Sequence, residues 1–183
     1  MVRPFSTLRV FFALWPDSDA RDRLAALARE VAVRTKGRAP PAENLHVTLA
    51  FIGDVPAERV AALSAIGASV AARAAPFVLS LDCTGTFRRT GITWAGARGV
   101  PPALAQMARC LAAALSAQDF AVEERMFSPH VTLARRCQAP EIGTLAEPIG
   151  WTVTRLALDA SEAGSDAQRY RDLATWPFGA GTS

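Results

Sequence analysis

The chain has few of the residues that most often mark metal and redox sites. It contains only two histidines, three cysteines and one tyrosine in 183 residues. The cysteines Cys83, Cys110 and Cys137 are odd in number and lie too far apart for a zinc knuckle or a dithiol motif. We therefore expect neither a disulfide framework nor a structural metal, and a reduced, cytoplasmic setting is the default.

Long apolar runs are also missing. No stretch approaches the roughly 20 apolar residues of a membrane span, so no membrane partner is expected. The apolar segment over residues 8–15 is interrupted by Arg9 and followed at once by Pro16-Asp17, which is not the pattern of a secretory signal. Half of the residues are apolar, as in a soluble globular protein, and we expect one domain over residues 1–183.

Basic residues exceed acidic ones by three, 20 against 17, and all but one of them are arginines. This mild excess suits an anionic ligand without requiring one.

The two histidines, His46 and His130, each begin the same five residues, His-Val-Thr-Leu-Ala. Each copy is apolar, rich in β-branched residues and preceded by proline, so each predicts a buried strand. Because side chains alternate along a strand, His46 lies on the same face as Thr48, and His130 on the same face as Thr132. Two such strands side by side would form one symmetric polar site.

The remaining pattern predicts an α+β fold. Helical periodicity and start signals indicate three helices, at residues 18–35, 56–74 and 101–118. Alternation and breaker residues indicate strands at residues 8–15, 44–51, 77–83, 86–87, 92–94, 126–135, 149–158 and 170–176. Helices packed on largely antiparallel sheets are the economical arrangement.

Paired histidines on one face suit the hydrolysis of a phosphodiester. One imidazole can take a proton from water while the other gives a proton to the departing oxygen, because both titrate near neutral pH. The motifs are nearly identical, so the residues alone do not say which is acid and which is base. The alternatives are two core histidines, which the repeated pentad argues against, and a metal site with Asp54, which lacks a third histidine.

Several motifs together resemble a known family. They are the opening Arg-Val-Phe-Phe-Ala-Leu-Trp-Pro, the stretches Leu-His-Val-Thr-Leu-Ala-Phe-Ile-Gly and Phe-Ser-Pro-His-Val-Thr-Leu-Ala-Arg, and a late Tyr170 followed by Trp176-Pro177. The doubled His-x-Thr-Leu resembles the signature of the two-histidine (2H) phosphoesterase superfamily. Within it, the chain resembles the RNA 2′,3′-cyclic phosphodiesterases historically called 2′-5′ RNA ligases, over nearly its whole length.

This resemblance implies a bilobal, pseudo-two-fold fold with two sheets and one motif per lobe around a central cleft. It implies opening of a terminal 2′,3′-cyclic phosphate to a 2′-phosphate without a cofactor or metal. His46 would be the proton donor, His130 the proton acceptor, and Thr48 and Thr132 the phosphate ligands. The implied partners are RNA ends such as tRNA halves, or cyclic nucleotides, and the reverse reaction would form a 2′-5′ linkage.

Four further residues are candidates for substrate contact. Arg135 matches an arginine of the family pattern and would neutralise phosphate charge, although its odd offset from His130 places it on the opposite face unless the strand ends first. Phe11, Phe12 and Trp94 are candidates for stacking on a nucleobase, with a core position weighted about three to one. A monomer is the default, and a non-catalytic binder of RNA ends or nucleotides on the same fold is the alternative function.

Overall fold

The computed structural model describes residues 7–122, 127–162 and 169–179. The described helices are α1 (Ser18–Thr35), α2 (Val60–Ala72) and α3 (Pro102–Ser116). The described strands are β1 (Thr7–Leu14), β2 (Val47–Pro56), β3 (Phe77–Phe87), β4 (Ile92–Gly96), β5 (His130–Ala134), β6 (Gly143–Val153), β7 (Arg155–Glu162) and β8 (Arg169–Pro177). Short 3₁₀ turns at Ala42–Asn44 and Ala57–Arg59 precede β2 and α2.

The first helix forms where its start and stop signals predict. The Asp17 side chain accepts a hydrogen bond from the backbone N–H of Ala20 at 2.9 Å, which satisfies one of the unpaired donors of the first turn. The helix ends where Lys36 adopts the left-handed conformation, with φ of 51°. The predicted bounds of α1 are confirmed, and its buried stripe packs against the sheet.

One sheet contains all eight described strands, in the order β6-β3-β4-β5-β2-β1-β7-β8, and every neighbouring pair is antiparallel. The prediction of two separate sheets is therefore wrong. The two four-stranded halves meet at β2 and β5, where the register contains the single pair Val47 and Val131. One residue pair thus merges what the sequence suggested as two sheets.

The two half-sheets have the same arrangement of elements. On one side of the join, α1 connects the antiparallel neighbours β1 and β2; on the other side, α3 connects β4 and β5. Each of these pairs is followed outward by two more antiparallel strands. The helices bury their apolar stripes in one core cluster with Val47 and Val131. The opposite face carries the histidines and threonines of both motifs, and we call it the motif face.

Other boundaries differ from the prediction because of pairing that no local pattern records. β3 runs unbroken through Gly85, since β4 pairs with it from Cys83 to Phe87. The predicted strand over 149–158 is instead the end of β6 and the start of β7, separated at Thr154. β5 covers only His130–Ala134; the predicted start at Met126 lies outside the described residues. Among the described helices, none is sufficiently long and apolar to cross a bilayer.

Candidate active site

The structure brings both motifs together at the centre of the sheet. His46 immediately precedes β2, and His130 begins β5, the strand beside it. Val47 and Val131 are fully buried in the core, so alternation places the flanking His46, Thr48, His130 and Thr132 on the motif face. Placement on neighbouring strands is the geometry that the repeated pentad predicted.

Both imidazoles are held in the same way. Nδ1 of His46 lies 2.8 Å from the carbonyl oxygen of Asn44, and Nδ1 of His130 lies 2.9 Å from that of Ser128. A carbonyl oxygen only accepts, so each Nδ1 carries the hydrogen and donates it. In each neutral ring the free lone pair is therefore on Nε2. His46 Nε2 lies 3.1 Å from the hydroxyl oxygen of Thr48, which donates to it when the ring is neutral.

Three aromatic rings surround His46. The ring centroids of Trp15, Tyr170 and Phe11 lie 4.9, 5.0 and 5.1 Å from the imidazole centroid. Phe11 lies in the middle of β1, Trp15 directly follows β1, and Tyr170 lies in β8, so two separate segments of the chain enclose one side chain. His46 therefore sits in a largely apolar pocket, although it belongs to the motif face.

This enclosure changes the acidity of the imidazole. Burial lowers the pKa of His46 to about 4, and the nearby positive charges of Arg135 and His130 lower it further. The hydrogen bond to the Asn44 carbonyl opposes these effects without reversing them. His46 is consequently neutral in the free protein at neutral pH.

His130 has a more open aromatic environment. Phe87 meets it edge-on at 5.3 Å between ring centroids, and Trp94 lies 6.2 Å away. Phe87 is 44% exposed. The Trp94 indole lies across two glycines, Gly85 on β3 and Gly96 on β4, where an added Cβ would overlap its ring. The two histidines share a motif and a tautomer, but their surroundings differ.

Arg135 reaches the site despite its odd offset from His130. β5 ends at Ala134, and Arg135 forms an isolated bridge with Arg38, with backbone N···O distances of 2.8 and 2.9 Å. The strand parity that argued against Arg135 therefore no longer applies. Burial raises the pKa of the Tyr170 phenol, and the charge of Arg135 and its hydrogen bond to that phenol oppose the rise. The guanidinium thus lies beside Tyr170 and acts electrostatically on His46.

The structure gives different positions to the three residues that were candidates for stacking on a nucleobase. Phe12 is fully buried in the core cluster, so its expectation is corrected. Phe11 is 3% exposed and is enclosed between His46 and Tyr170, which leaves no ring face for a base; this expectation is corrected as well. Trp94 lies on the motif face next to Thr132, its cross-strand partner, and remains a candidate.

Sequence reasoning did not single out Trp15, Phe87 or Asp159. Trp15 could have been found, because it follows Phe11 and Ala13 at the two-residue spacing of the motif face. Asp159 had no such signal, since its burial depends on β1 and β8 pairing on both sides of β7. Within residues 7–122, 127–162 and 169–179, no three side chains of His, Cys, Asp or Glu are grouped as metal ligands.

Known proteins are similar to this chain in sequence and in fold. Residues 14–94 match the family model described as LigT like phosphoesterase. The RNA 2′,3′-cyclic phosphodiesterase of Escherichia coli is 34% identical over 171 residues, which cover 92% of this chain and 95% of that protein. That of Thermus thermophilus is 30% identical, over 85% and 82% of the two chains. The crystal structure of E. coli LigT complexed with 3′-AMP superposes with a TM-score of 0.85 at 32% identity, covering 94% of this chain and 99% of that one.

Proposed function

Because the chain belongs to the LigT-like phosphoesterase family, we propose that it is an RNA 2′,3′-cyclic phosphodiesterase, which opens a terminal cyclic phosphate to a 2′-phosphate. The observation that carries the proposal is the matched pair of imidazoles. Two backbone carbonyls fix the same tautomer in His46 and His130, and both residues belong to the same face of the sheet. One proton acceptor and one proton donor are what hydrolysis of a phosphodiester needs.

In the proposed reaction, Nε2 of His130 takes a proton from water as the water oxygen attacks phosphorus. The bond from phosphorus to the 3′ oxygen breaks, and Nε2 of His46 gives its proton to that oxygen. The product carries the phosphate on the 2′ oxygen, and one proton has moved from water to protein and one from protein to product. The resemblance to the family supports this assignment of donor and acceptor.

The donor role requires His46 to gain a proton before the bond breaks, since its pKa of about 4 leaves it neutral in the free protein. The substrate supplies a physical reason for that gain. A phosphodiester carries one negative charge, and an anion next to an imidazole favours its charged form. We therefore expect substrate binding and protonation of His46 to be coupled.

Thr48 and Thr132 are the proposed ligands of the non-bridging phosphate oxygens, with Arg135 as the cation that balances their charge. Thr48 can turn its hydroxyl from His46 to phosphate, because the ring keeps its second hydrogen bond through Nδ1. Preorganised donors of this kind act on the charge that develops in the transition state. Trp94 and the exposed Phe87 offer ring surface beside His130 on which the nucleobase of the substrate can stack.

The same proposal extends to the setting of the enzyme. We place it in the cytoplasm as a monomer with one bilobal domain over residues 1–183, whose lobes are the two half-sheets. The three free cysteines, two of them partly buried, support a reduced setting. The proposed substrates are RNA ends such as tRNA halves, or small cyclic nucleotides, with 2′-5′ ligation as the reverse reaction.

A binding module without turnover is the second candidate. It has support from solved structures of E. coli LigT, which is described in complexes with 3′-AMP, ATP and NADP+. Nucleotide binding without cleavage would fit those complexes equally well.

Cleavage of a short RNA with a 2′,3′-cyclic phosphate end, in excess chelator, separates the two candidates. We expect a 2′-phosphate product, with a loss of roughly 10²- to 10⁴-fold in kcat for His46→Ala and for His130→Ala. Separation of 2′- and 3′-phosphates identifies which bond broke. Tight binding of the RNA without product, by the unmodified protein both with and without added metal, would reject the enzyme and leave the binding module.

A further inference from the structure

Asp159 is the most deeply buried acidic side chain of the described residues. It is 3% exposed, and the other buried polar side chains of the described residues are all threonines. Burying a carboxyl group costs free energy that an apolar residue at the same place would avoid. Neither motif includes Asp159, and the proposed reaction does not use it. Its position therefore calls for a functional reason.

The carboxyl group lies on the motif face, next to two of the aromatic residues that contact His46. Asp159 on β7 is the cross-strand partner of Phe11 on β1, so the two side chains project from the same face. Its Oδ2 accepts a hydrogen bond from Nε1 of Trp15 at 3.1 Å. The Trp15 ring in turn lies 4.9 Å from the ring of His46. One hydrogen bond and one ring contact thus connect Asp159 to the proposed proton donor.

Trp15 needs this anchor more than the other two rings do. Phe11 lies within β1 and Tyr170 within β8, where pairing on neighbouring strands fixes the backbone. Trp15 follows Leu14, the last residue of β1. Its indole N–H can only donate, and the carboxylate of Asp159 is the acceptor that sets the orientation of the ring.

His46 depends on its ring neighbours once the substrate is present. In the free protein its two nitrogens contact Asn44 and Thr48. Under the proposed function Thr48 turns to the phosphate, and Nε2 faces the 3′ oxygen. Only the hydrogen bond through Nδ1 and the contacts with the three aromatic rings then hold the imidazole. A proton donor that moves by about 1 Å can lose on the order of 100-fold in rate.

We propose that Asp159 is a positioning residue, which holds the Trp15 indole against His46 and so fixes the orientation of the donor imidazole during catalysis. This inference rests on the proposed function for its kinetic consequence. The contact between the two rings is a property of the fold, and it can be measured without any reaction.

Three substitutions test the chain of contacts. Asp159→Leu removes the acceptor at similar volume, Asp159→Asn keeps an acceptor oxygen without charge, and Trp15→Phe keeps a ring without the N–H. With the cyclic-phosphate RNA, we expect Asp159→Leu to lower kcat by roughly 10- to 100-fold with little change in KM. Asp159→Asn should recover most of that loss. Adding Asp159→Leu to Trp15→Phe should cost less than about 3-fold more, because the shared hydrogen bond is already gone.

Equal losses for Asp159→Asn and Asp159→Leu would overturn the inference, as would a full Asp159→Leu effect in the Trp15→Phe background. Either result would mean that the carboxyl group acts through its negative charge or through the stability of the fold. The hydrogen bond to Trp15 would then not be the cause.

Proton NMR of the imidazoles gives the readout that is independent of activity. The chain has two histidines, so His130 is an internal control for His46. In Asp159→Leu the ring protons of His46 should shift as the indole moves, those of His130 should not, and Asp159→Asn should restore the original positions. An unchanged His46 spectrum in Asp159→Leu would reject the positioning role even in an active enzyme. A shifted spectrum in a protein that cleaves no cyclic phosphate would retain the contact chain and reject the proposed function.

Discussion

Two chemically identical imidazoles become different because of what surrounds them. The motif gives both the same tautomer through a carbonyl two residues earlier. Trp15, Tyr170 and Phe11 then enclose His46, whereas the partly exposed Phe87 leaves the surroundings of His130 open. Separation of acid and base roles follows when the environments of two titrating groups differ. At this site, aromatic residues outside the repeat provide the difference.

Arg135 should influence the pH dependence through His46. Its positive charge helps to lower the pKa of His46, so removing the charge should raise that pKa above about 4. The limbs of the kcat/KM profile report the pKa values of the essential groups of the free enzyme, and the lower of the two values sets the acidic limb, whichever group donates the proton. We expect Arg135→Met to move this limb to higher pH, in addition to weakening phosphate binding. A kcat/KM profile from about pH 3.5 to 9 measures the shift.

Arg73→Met is the matched control for this substitution. Arg73 follows α2 and bonds to Ser69, on the helical side of the molecule. The substitution Arg73→Met should leave the acidic limb of the kcat/KM profile unchanged. An acidic limb at the same pH in Arg135→Met and in the unmodified protein would show that the guanidinium does not act on His46.

At the scale of elements, β3 and β4 each place a glycine against the Trp94 indole, and we call Gly85 and Gly96 together the glycine floor. An alanine Cβ at Gly85 would overlap the indole, and one at Gly96 would lie 2.7 Å from its Cζ3 atom. Gly85→Ala should therefore force the ring away from the sheet toward His130. We expect an increase of roughly tenfold in KM for the RNA, and a loss of about 1–3 kcal/mol in the free energy of unfolding.

Gly150→Ala on β6 is the control in the same half-sheet, because its Cβ would be 3.5 Å from the nearest atom, the Leu79 carbonyl oxygen. Kinetic constants and denaturant unfolding compare the two variants. If Gly85→Ala behaves like Gly150→Ala, the indole does not depend on the glycine floor.

The elements also show where sequence reasoning succeeds and where it stops. The bounds of α1, the helical stripes and the common face of each His and Thr depend on local spacing, and the structure has them as predicted. The single sheet depends on one long-range pair, Val47 with Val131, which no local pattern records. Asp159 was missed for the same reason, since strands far apart in the chain create its burial.

For the whole molecule, His46 and Asp159 should give opposite pH dependences of stability. Folding lowers the pKa of His46 from 6.5 to about 4, so the stability that neutral His46 provides above pH 6.5 is lost as the pH falls toward 4. Burial raises the pKa of Asp159 from 3.8 to about 6, so the stability present below pH 3.8 is lost as the pH rises through 6. Each effect is on the order of 3 kcal/mol, and the two nearly cancel between about pH 4 and 6.

Substituting either His46 or Asp159 should reveal the pH dependence of stability that the other residue causes. Relative to the unmodified protein, Asp159→Asn should gain about 3 kcal/mol in the free energy of unfolding at about pH 7 and nothing at about pH 4. His46→Asn should lose stability relative to the unmodified protein near neutral pH and much less in acid. Urea unfolding at about pH 4, 5, 6 and 7 measures both curves. Parallel curves for Asp159→Asn and the unmodified protein would contradict a raised pKa of Asp159.

The strand order finally affects how the molecule is made. The half-sheet of His130 is continuous in the chain, from β3 to β6, but that of His46 combines β1 and β2 with β7 and β8. While the ribosome is still translating residues 77–153, β1 has no outer neighbour, and an unpaired edge of this kind invites pairing with other chains. The pocket of His46 includes Tyr170, so it cannot close until β8 has left the ribosome. A nascent chain can therefore complete the surroundings of its second histidine before those of its first.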